Sequence, residues 1–341
     1  MTRIPATDVV RAIRYSDSMS HTIHIQTGSR LHFGLLAVQA PTGRNFGGVG
    51  LMVDVPSCQL RVSLSDKDQI DATDNLVPRL TEWRRRYREL CPVEHRPPPC
   101  RIEVQQAIPS HVGLGSGTQT ALALAAALAA LAGEARVPAT ELARRVGRGL
   151  RSALGIHGFE QGGFLVEAGK WEPEEISPLV SRVTFPDEWR LLLITPRDKR
   201  GLSGESERSA FAQLGSMPDS MTDRLCRIAL MELIPAVQTR DFESVSTALF
   251  EFGRLNGEYF APIQGGVFAD PRMSELANWL RSRGCLGVGQ SSWGPTLFAL
   301  CRDEVEVAER RNEIFRLSVE SNLELFVVRP RNESATYSSS V

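Results

Sequence analysis

The sequence predicts two lobes, each mixing α-helices with β-strands. Three observations predict this. The chain has 341 residues, and at ~100–200 residues per domain that length accommodates two. Strand-like and helix-like patterns occur in both halves. The pattern also restarts after a loop near Pro186. The expected divisions are a flexible tail at 1–20, an N-terminal lobe at 21–186, a C-terminal lobe at 187–330 and a loose polar tail at 331–341.

The elements follow in order. Thr22–Leu36 alternates and then turns apolar, as a strand does. Asn45–Gly50 reads as a glycine-rich turn. Gln59–Ser65 puts Leu60, Val62 and Leu64 on one face, as a half-buried strand would. Leu76–Leu90 reads as a helix, and Arg101–Ile108 as a strand. Between them, Pro97, Pro98 and Pro99 forbid helix. Ser116–Leu131 is the strongest helix, rich in alanine and leucine and stopped near Gly133. A second helix is expected over Ala139–Leu154, then a strand at Phe164–Glu167 and a loop to Pro186. The second half reads as a strand at Trp189–Thr195 and helices at Met221–Thr239, Phe242–Leu255 and Met273–Arg283. A glycine turn and strand then span Leu286–Cys301, followed by a helix at Val305–Phe315 and a strand at Leu323–Val328.

Composition narrows the function. The net charge is −1, with 39 basic and 40 acidic residues. That excludes a global basic field for nucleic acid. Only three of the basic residues are lysines (Lys67, Lys170, Lys199), leaving 36 arginines. Most fit a compositional bias, but a planar fork also suits phosphate and carboxylate. The six cysteines form no C-x-x-C pair, against a zinc ribbon or redox dithiol. No run approaches the ~20 apolar residues of a membrane span. Residues 1–18 lack the apolar core of a signal peptide. A cytoplasmic protein with no membrane or nucleic-acid partner is expected.

One segment carries chemistry. Pro109-Ser-His-Val-Gly-Leu-Gly-Ser-Gly-Thr118 runs from a strand into the best helix. A helix N-terminus presents unpaired N–H groups and about half a positive charge. Glycines remove the Cβ atoms that block close approach. Such a loop seats phosphate, through Gly113, Leu114, Gly115, Ser116, Gly117 and Thr118. It is not a Walker A loop, having no lysine, nor a dinucleotide fingerprint, since its glycines run G-x-G-x-G. A tight structural turn is the plain alternative.

This loop resembles the P-x-x-x-G-L-G-S-S phosphate loop of the GHMP kinase superfamily. Gly287-Val-Gly-Gln-Ser-Ser-Trp-Gly-Pro295 resembles that superfamily's late glycine loop. The resemblance implies an α+β, GHMP kinase-like two-lobed fold. Its N-terminal α/β lobe holds the phosphate loop, its C-terminal lobe is ferredoxin-like, and the site lies in the cleft between them. Four further segments narrow the likeness: Thr27-Gly-Ser-Arg-Leu-His-Phe-Gly-Leu-Leu36, Gly155-Ile-His-Gly-Phe-Glu-Gln-Gly-Gly-Phe164, Gly201-Leu-Ser-Gly-Glu205 and Asn256-Gly-Glu-Tyr-Phe260. Together they are similar to the beta-ribofuranosylaminobenzene 5'-phosphate synthase family of methanopterin biosynthesis. That family condenses phosphoribosyl pyrophosphate with 4-aminobenzoate or 4-hydroxybenzoate, losing carbon dioxide and pyrophosphate.

The resemblance implies Mg²⁺, a homodimer and specific roles. Glu160 falls where the kinases carry a catalytic aspartate, and with Ser116 it would hold the metal, which favours oxygen ligands. Arg30 and His32 lie two apart on a strand and share a side. Arg30 would grip a carboxylate and His32 would move a proton. Gln161 would orient Glu160 or contact the ribose. Arg197, Lys199 and Arg200 cluster after the Trp189–Thr195 strand, as candidates for the 5'-phosphate or as a solvated charge run, and Ser291 in the late turn is a further candidate substrate contact. Trp293 is placed to stack on the aryl ring or simply to pack. Two other readings use the same fold: an ATP-dependent small-molecule kinase, and a non-catalytic ligand-binding protein.

Overall fold

The computed structural model describes residues 22–134, 136–172, 176–202, 204–317 and 322–340. The expected tail at 1–20 and Ser203 of the Gly201–Glu205 segment lie outside the described residues.

A twisted sheet organises the first lobe. Strand β1 (Thr22–Ala37) pairs antiparallel with the long β2 (Phe46–Leu64). The far half of β2 pairs with β4 (Cys100–Gln106), which pairs in parallel with the short β3 (Gln69–Asp71). The near half of β2 pairs with β5 (Phe164–Glu167), and β5 with β6 (Leu179–Val183). The Asn45–Gly50 segment, expected as a turn, is mostly the start of β2. Its glycines are there for closeness: a Cβ on Gly50 would lie 2.5 Å from the Leu31 carbonyl oxygen across the ladder.

Helices cover one face. Helix α1 (Val77–Leu90) packs on α2 (Ser116–Leu131). In α2, 12 of the 16 residues are buried, so it is a core helix without a solvent stripe. Its alanines let it lie close to β1 and β2 on one side and to its helical neighbours on the other. The single helix expected over Ala139–Leu154 is two, α3 (Ala139–Arg145) and α4 (Leu154–Gln161). Gly147 and Gly149, at φ +66° and +90°, break it.

The second lobe has its own sheet, in the order β10-β7-β9-β8. These strands are β7 (Arg190–Pro196), β8 (Val288–Gln290), β9 (Leu297–Cys301) and β10 (Leu323–Val328). All neighbours are antiparallel. Helices between β7 and β8, and one between β9 and β10, make this the ferredoxin-like lobe. The first group is α5 (Gly204–Gln213), α6 (Asp219–Arg227), a π-helical stretch (Ile228–Leu233), α7 (Ile234–Thr239), α8 (Phe242–Gln264) and α9 (Pro271–Ser282). The last is α10 (Glu304–Leu317). Helix α8 runs nine residues beyond the expected Leu255, because Asn256 and Gly257 are buried in it and Pro262 does not end it.

The tail at 331–341, expected to be loose, forms β11 (Thr336–Ser340) on the outer edge of β1. The edge of β1 offers unpaired backbone groups that this strand satisfies. Tyr337 meets Phe159 edge-on at 6.4 Å. The six cysteines are free, Cys91 and Cys100 included. Among the described residues, no helix is long and apolar enough to cross a membrane.

Candidate active site

Where the lobes meet, a cavity of ≈ 680 Å³ opens, within the range of small-molecule sites. The glycine loop forms its floor. Gly113 and Gly115 take φ +87° and +73°, and Gly115, the N-cap of α2, has no side chain to cap its first turn. Its N–H groups and dipole therefore face the cavity.

Both lobes clamp this loop. The Arg30 amide on β1 donates to the Leu114 carbonyl at 3.0 Å, and the Gly201 amide donates to the His111 carbonyl at 2.7 Å. Ser291, completely buried, donates its hydroxyl to the Gly113 carbonyl at 2.7 Å. The same Oγ accepts from the His32 amide at 3.0 Å. Ser291 does not line the cavity; its hydroxyl braces the loop.

Arginines surround the first turn. Arg30 lies against Gly115, while Arg79 and Arg148 converge on Gly117. Arg148 Nη2 donates to Thr118 Oγ1 at 3.1 Å, and its buried Nε finds no partner among the described residues. Arg30 likewise keeps Nε and Nη1 buried and unpartnered. Burial pushes Arg148 down to about 10, and the charges of Arg79 and Arg151 push the same way. Burial also takes Arg30 down to about 10, against the attraction of Glu167 and Glu207. Arg151 completes the set, paired with Glu207 at 2.6 Å. Among the described residues, Glu207 is the one carboxylate on the cavity wall. Four guanidiniums facing one carboxylate in a shared cavity repel one another unless an anion joins them.

His32 is buried on the same wall. Burial, and secondarily Arg30, hold it well below the usual histidine range, so it is neutral at physiological pH. The unfolded chain takes up a proton near 6.5 and the folded chain does not. The contribution of His32 to stability is therefore complete above that pH and is lost as pH falls below it. Melting temperatures followed from about pH 7.5 to 5 should fall less steeply in His32→Gln than in wild type. Equal slopes would refute the assignment.

Other expected residues fall elsewhere. Glu160 does not line the cavity. Gly155 on α4 faces Thr118 and Gln119. Five residues on, at ~100° each, Glu160 is turned away from that face. Its charge acts on Tyr337 of β11 instead. Ser116 does line the cavity, so the expected metal pair is not brought together. Glu160→Gln should leave turnover within about twofold of wild type, as off-site substitutions do; a severe loss in a steady-state assay would overturn this placement. Gln161 is exposed, its carbonyl 3.5 Å from Arg182 Nη2. Arg197, Lys199 and Arg200 are exposed and off the wall. Arg197 pairs with Glu324, and Arg200 donates to the carbonyls of Arg197 and Lys199, so the loop after β7 folds back on itself.

The residues that the sequence reading missed are Arg79, Arg148, Arg151 and Glu207. One signal was present. Gly147-Arg-Gly-Leu-Arg-Ser152 interleaves arginines with glycines that cannot sit comfortably in a helix.

Comparison with known proteins agrees with this fold. The family model described as GHMP kinases N terminal domain matches residues 80–163, and GHMP kinases C terminal matches 233–317. Homoserine kinase from Cytophaga hutchinsonii shares the fold at 16% identity and TM-score 0.64, over 95% of this chain and all of that one. A structure described as MDDEF in complex with MVAPP, AMPPCP and magnesium does so at 16% identity and TM-score 0.66, over 94% of this chain and all of that one. The fold is that of the GHMP kinase superfamily, and the match to its N-terminal domain spans the glycine loop.

Closer relatives are more specific. Beta-ribofuranosylphenol 5'-phosphate synthase of Methanothermobacter thermautotrophicus is 31% identical over 293 residues, 81% of this chain and 88% of that protein. The protein of the same name from Archaeoglobus fulgidus is 28% identical over 305 residues, 84% and 90% of the two chains. This chain belongs to the beta-ribofuranosylphenol 5'-phosphate synthase family and is an enzyme of the GHMP kinase superfamily.

Proposed function

We propose that the chain condenses phosphoribosyl pyrophosphate with 4-hydroxybenzoate or 4-aminobenzoate, losing carbon dioxide and pyrophosphate, as a step toward a methanopterin. The observation that carries this is the ring of Arg30, Arg79 and Arg148 around the first turn of α2. It suits a polyanion better than a neutral alcohol.

The loop N–H groups and these guanidiniums would bind the diphosphate and hold its oxygens as negative charge develops on them. The ring carbon bearing the carboxylate forms a bond to the sugar C1 as the C1–O bond to pyrophosphate breaks. The carbon–carboxylate bond then breaks, its electron pair restores the aromatic ring, and carbon dioxide leaves. The sequence balances without a net proton. Neutral His32 thus fits a hydrogen-bonding role on the wall, not that of a consumed acid or base.

The wall also suits Mg²⁺. Ser116 and Glu207 are oxygen donors on it, and this ion usually uses one or two carboxylates together with substrate phosphates. When bound, it would neutralise charge on the departing diphosphate.

The test is incubation with Mg²⁺, phosphoribosyl pyrophosphate and each arene in turn. Release of carbon dioxide and pyrophosphate in equal amounts is expected with at least one. Release with neither arene, alongside ATP-dependent phosphorylation of an alcohol, would overturn the reading in favour of a kinase.

A further inference from the structure

The cavity has two chemically different halves. One is the arginine-ringed first turn of α2. The other is aromatic. Phe211 from α5, Phe260 from α8 and Trp293 from the turn between β8 and β9 line the same cavity. They pack on one another: Phe260 and Trp293 have centroids 4.7 Å apart, and Phe211 meets Trp293 edge-on at 5.3 Å. Rings that reach a polar cavity from three separate elements leave apolar area for a ligand to cover.

Arg151 lies at the junction. Its guanidinium carbon is 5.1 Å from the Phe211 ring centre. Nη2 donates to Glu207 at 2.6 Å, while the buried Nη1 has no partner among the described residues. Glu207 and Phe211 are four apart on α5 and so share its cavity-facing side. A donor left unpaired beside an aromatic wall asks for an acceptor attached to a flat apolar body.

We infer that this half is the seat of the aromatic co-substrate. Phe211, Phe260 and Trp293 hold its ring, and Arg151 Nη1 donates to its carboxylate. The inference rests on the synthase reading for the identity of that substrate. The pairing with Glu207 has a consequence for the chemistry. A guanidinium already shared with one carboxylate directs the second without a full uncompensated charge, which would otherwise oppose loss of carbon dioxide.

The experiment measures equilibrium binding of benzoate and of phenol, and the KM for each substrate, in wild type, Phe260→Leu, Arg151→Gln and Arg151→Lys. Thermal melts check folding. Phe260→Leu is expected to raise the arene KM about tenfold and leave that for phosphoribosyl pyrophosphate unchanged. Arg151→Gln is expected to weaken benzoate about tenfold and leave phenol, which lacks the carboxylate, unaffected. Arg151→Lys should recover part of the loss. Equal weakening of benzoate and phenol, or an arene KM that Phe260→Leu does not move, would overturn the seat. The two readings fail separately. Turnover in wild type with benzoate binding independent of Arg151 removes the seat alone. Arg151-dependent benzoate binding without turnover removes the synthase reading and supports the seat.

Discussion

Gly113→Ala is expected to abolish turnover and to lower stability by roughly 2–4 kcal/mol, combining left-handed strain with overpacking. Two features of the loop act together. The residue sits at φ +87°, where an L side chain is strained. A Cβ there would also press into the Ser291 carbonyl oxygen, a backbone atom held by the brace that joins Gly113 to His32. Relief requires the loop to move off that brace, and the N–H groups proposed to hold phosphate move with it. A chemical melt and a steady-state assay measure both effects. Normal turnover in the variant would mean that the loop does not hold the reacting phosphates.

Arg148→Met is expected to cut kcat/KM for the phosphorylated substrate by about 10²–10³, the usual loss when one preorganised charge-stabilising donor is removed. Stability should move the other way. The folded protein half-buries Arg148, with Nε unpartnered among the described residues and three other arginines nearby. Replacing this half-buried guanidinium, crowded by like charges that one carboxylate only partly offsets, with an apolar chain of similar length should stabilise the ligand-free protein by ~1–3 kcal/mol. Such opposite signs are the signature of a strained functional residue. The check is a melt without ligand beside the kinetic assay. A variant both less stable and fully active would show that Arg148 serves only the fold.

The sequence reading and the structure part company at particular residues. Helix Ser116–Leu131 was readable to the residue, because alanine and leucine propensity and the flanking glycines are local properties. The segment 139–154 is not, because two glycines that take positive φ open it in the middle. That one misreading hid Arg148 and Arg151 together. Glu160 lies off the cavity lining for a different reason. Its family position was matched along the chain, but whether it meets the loop depends on the rotation of α4 about its axis. The polarity of the tail predicts looseness, whereas its pairing partner, β1, lies about 310 residues away, as Thr336 Oγ1 donating to the Gln26 carbonyl illustrates.

The proposed phosphate seat, the two lobes and the core helix follow from short-range rules: glycine permits the turn, an unpaired helix start attracts anions, and alternation marks buried faces. Which few of the 36 arginines would face that seat was beyond those rules. Arg30, Arg79, Arg148 and Arg151 come from a strand, a helix and a glycine-broken loop, and only packing the sheet against its helices brings their charges into one cavity. The aromatic wall was decided in the same way, by three elements of the second lobe closing over the first.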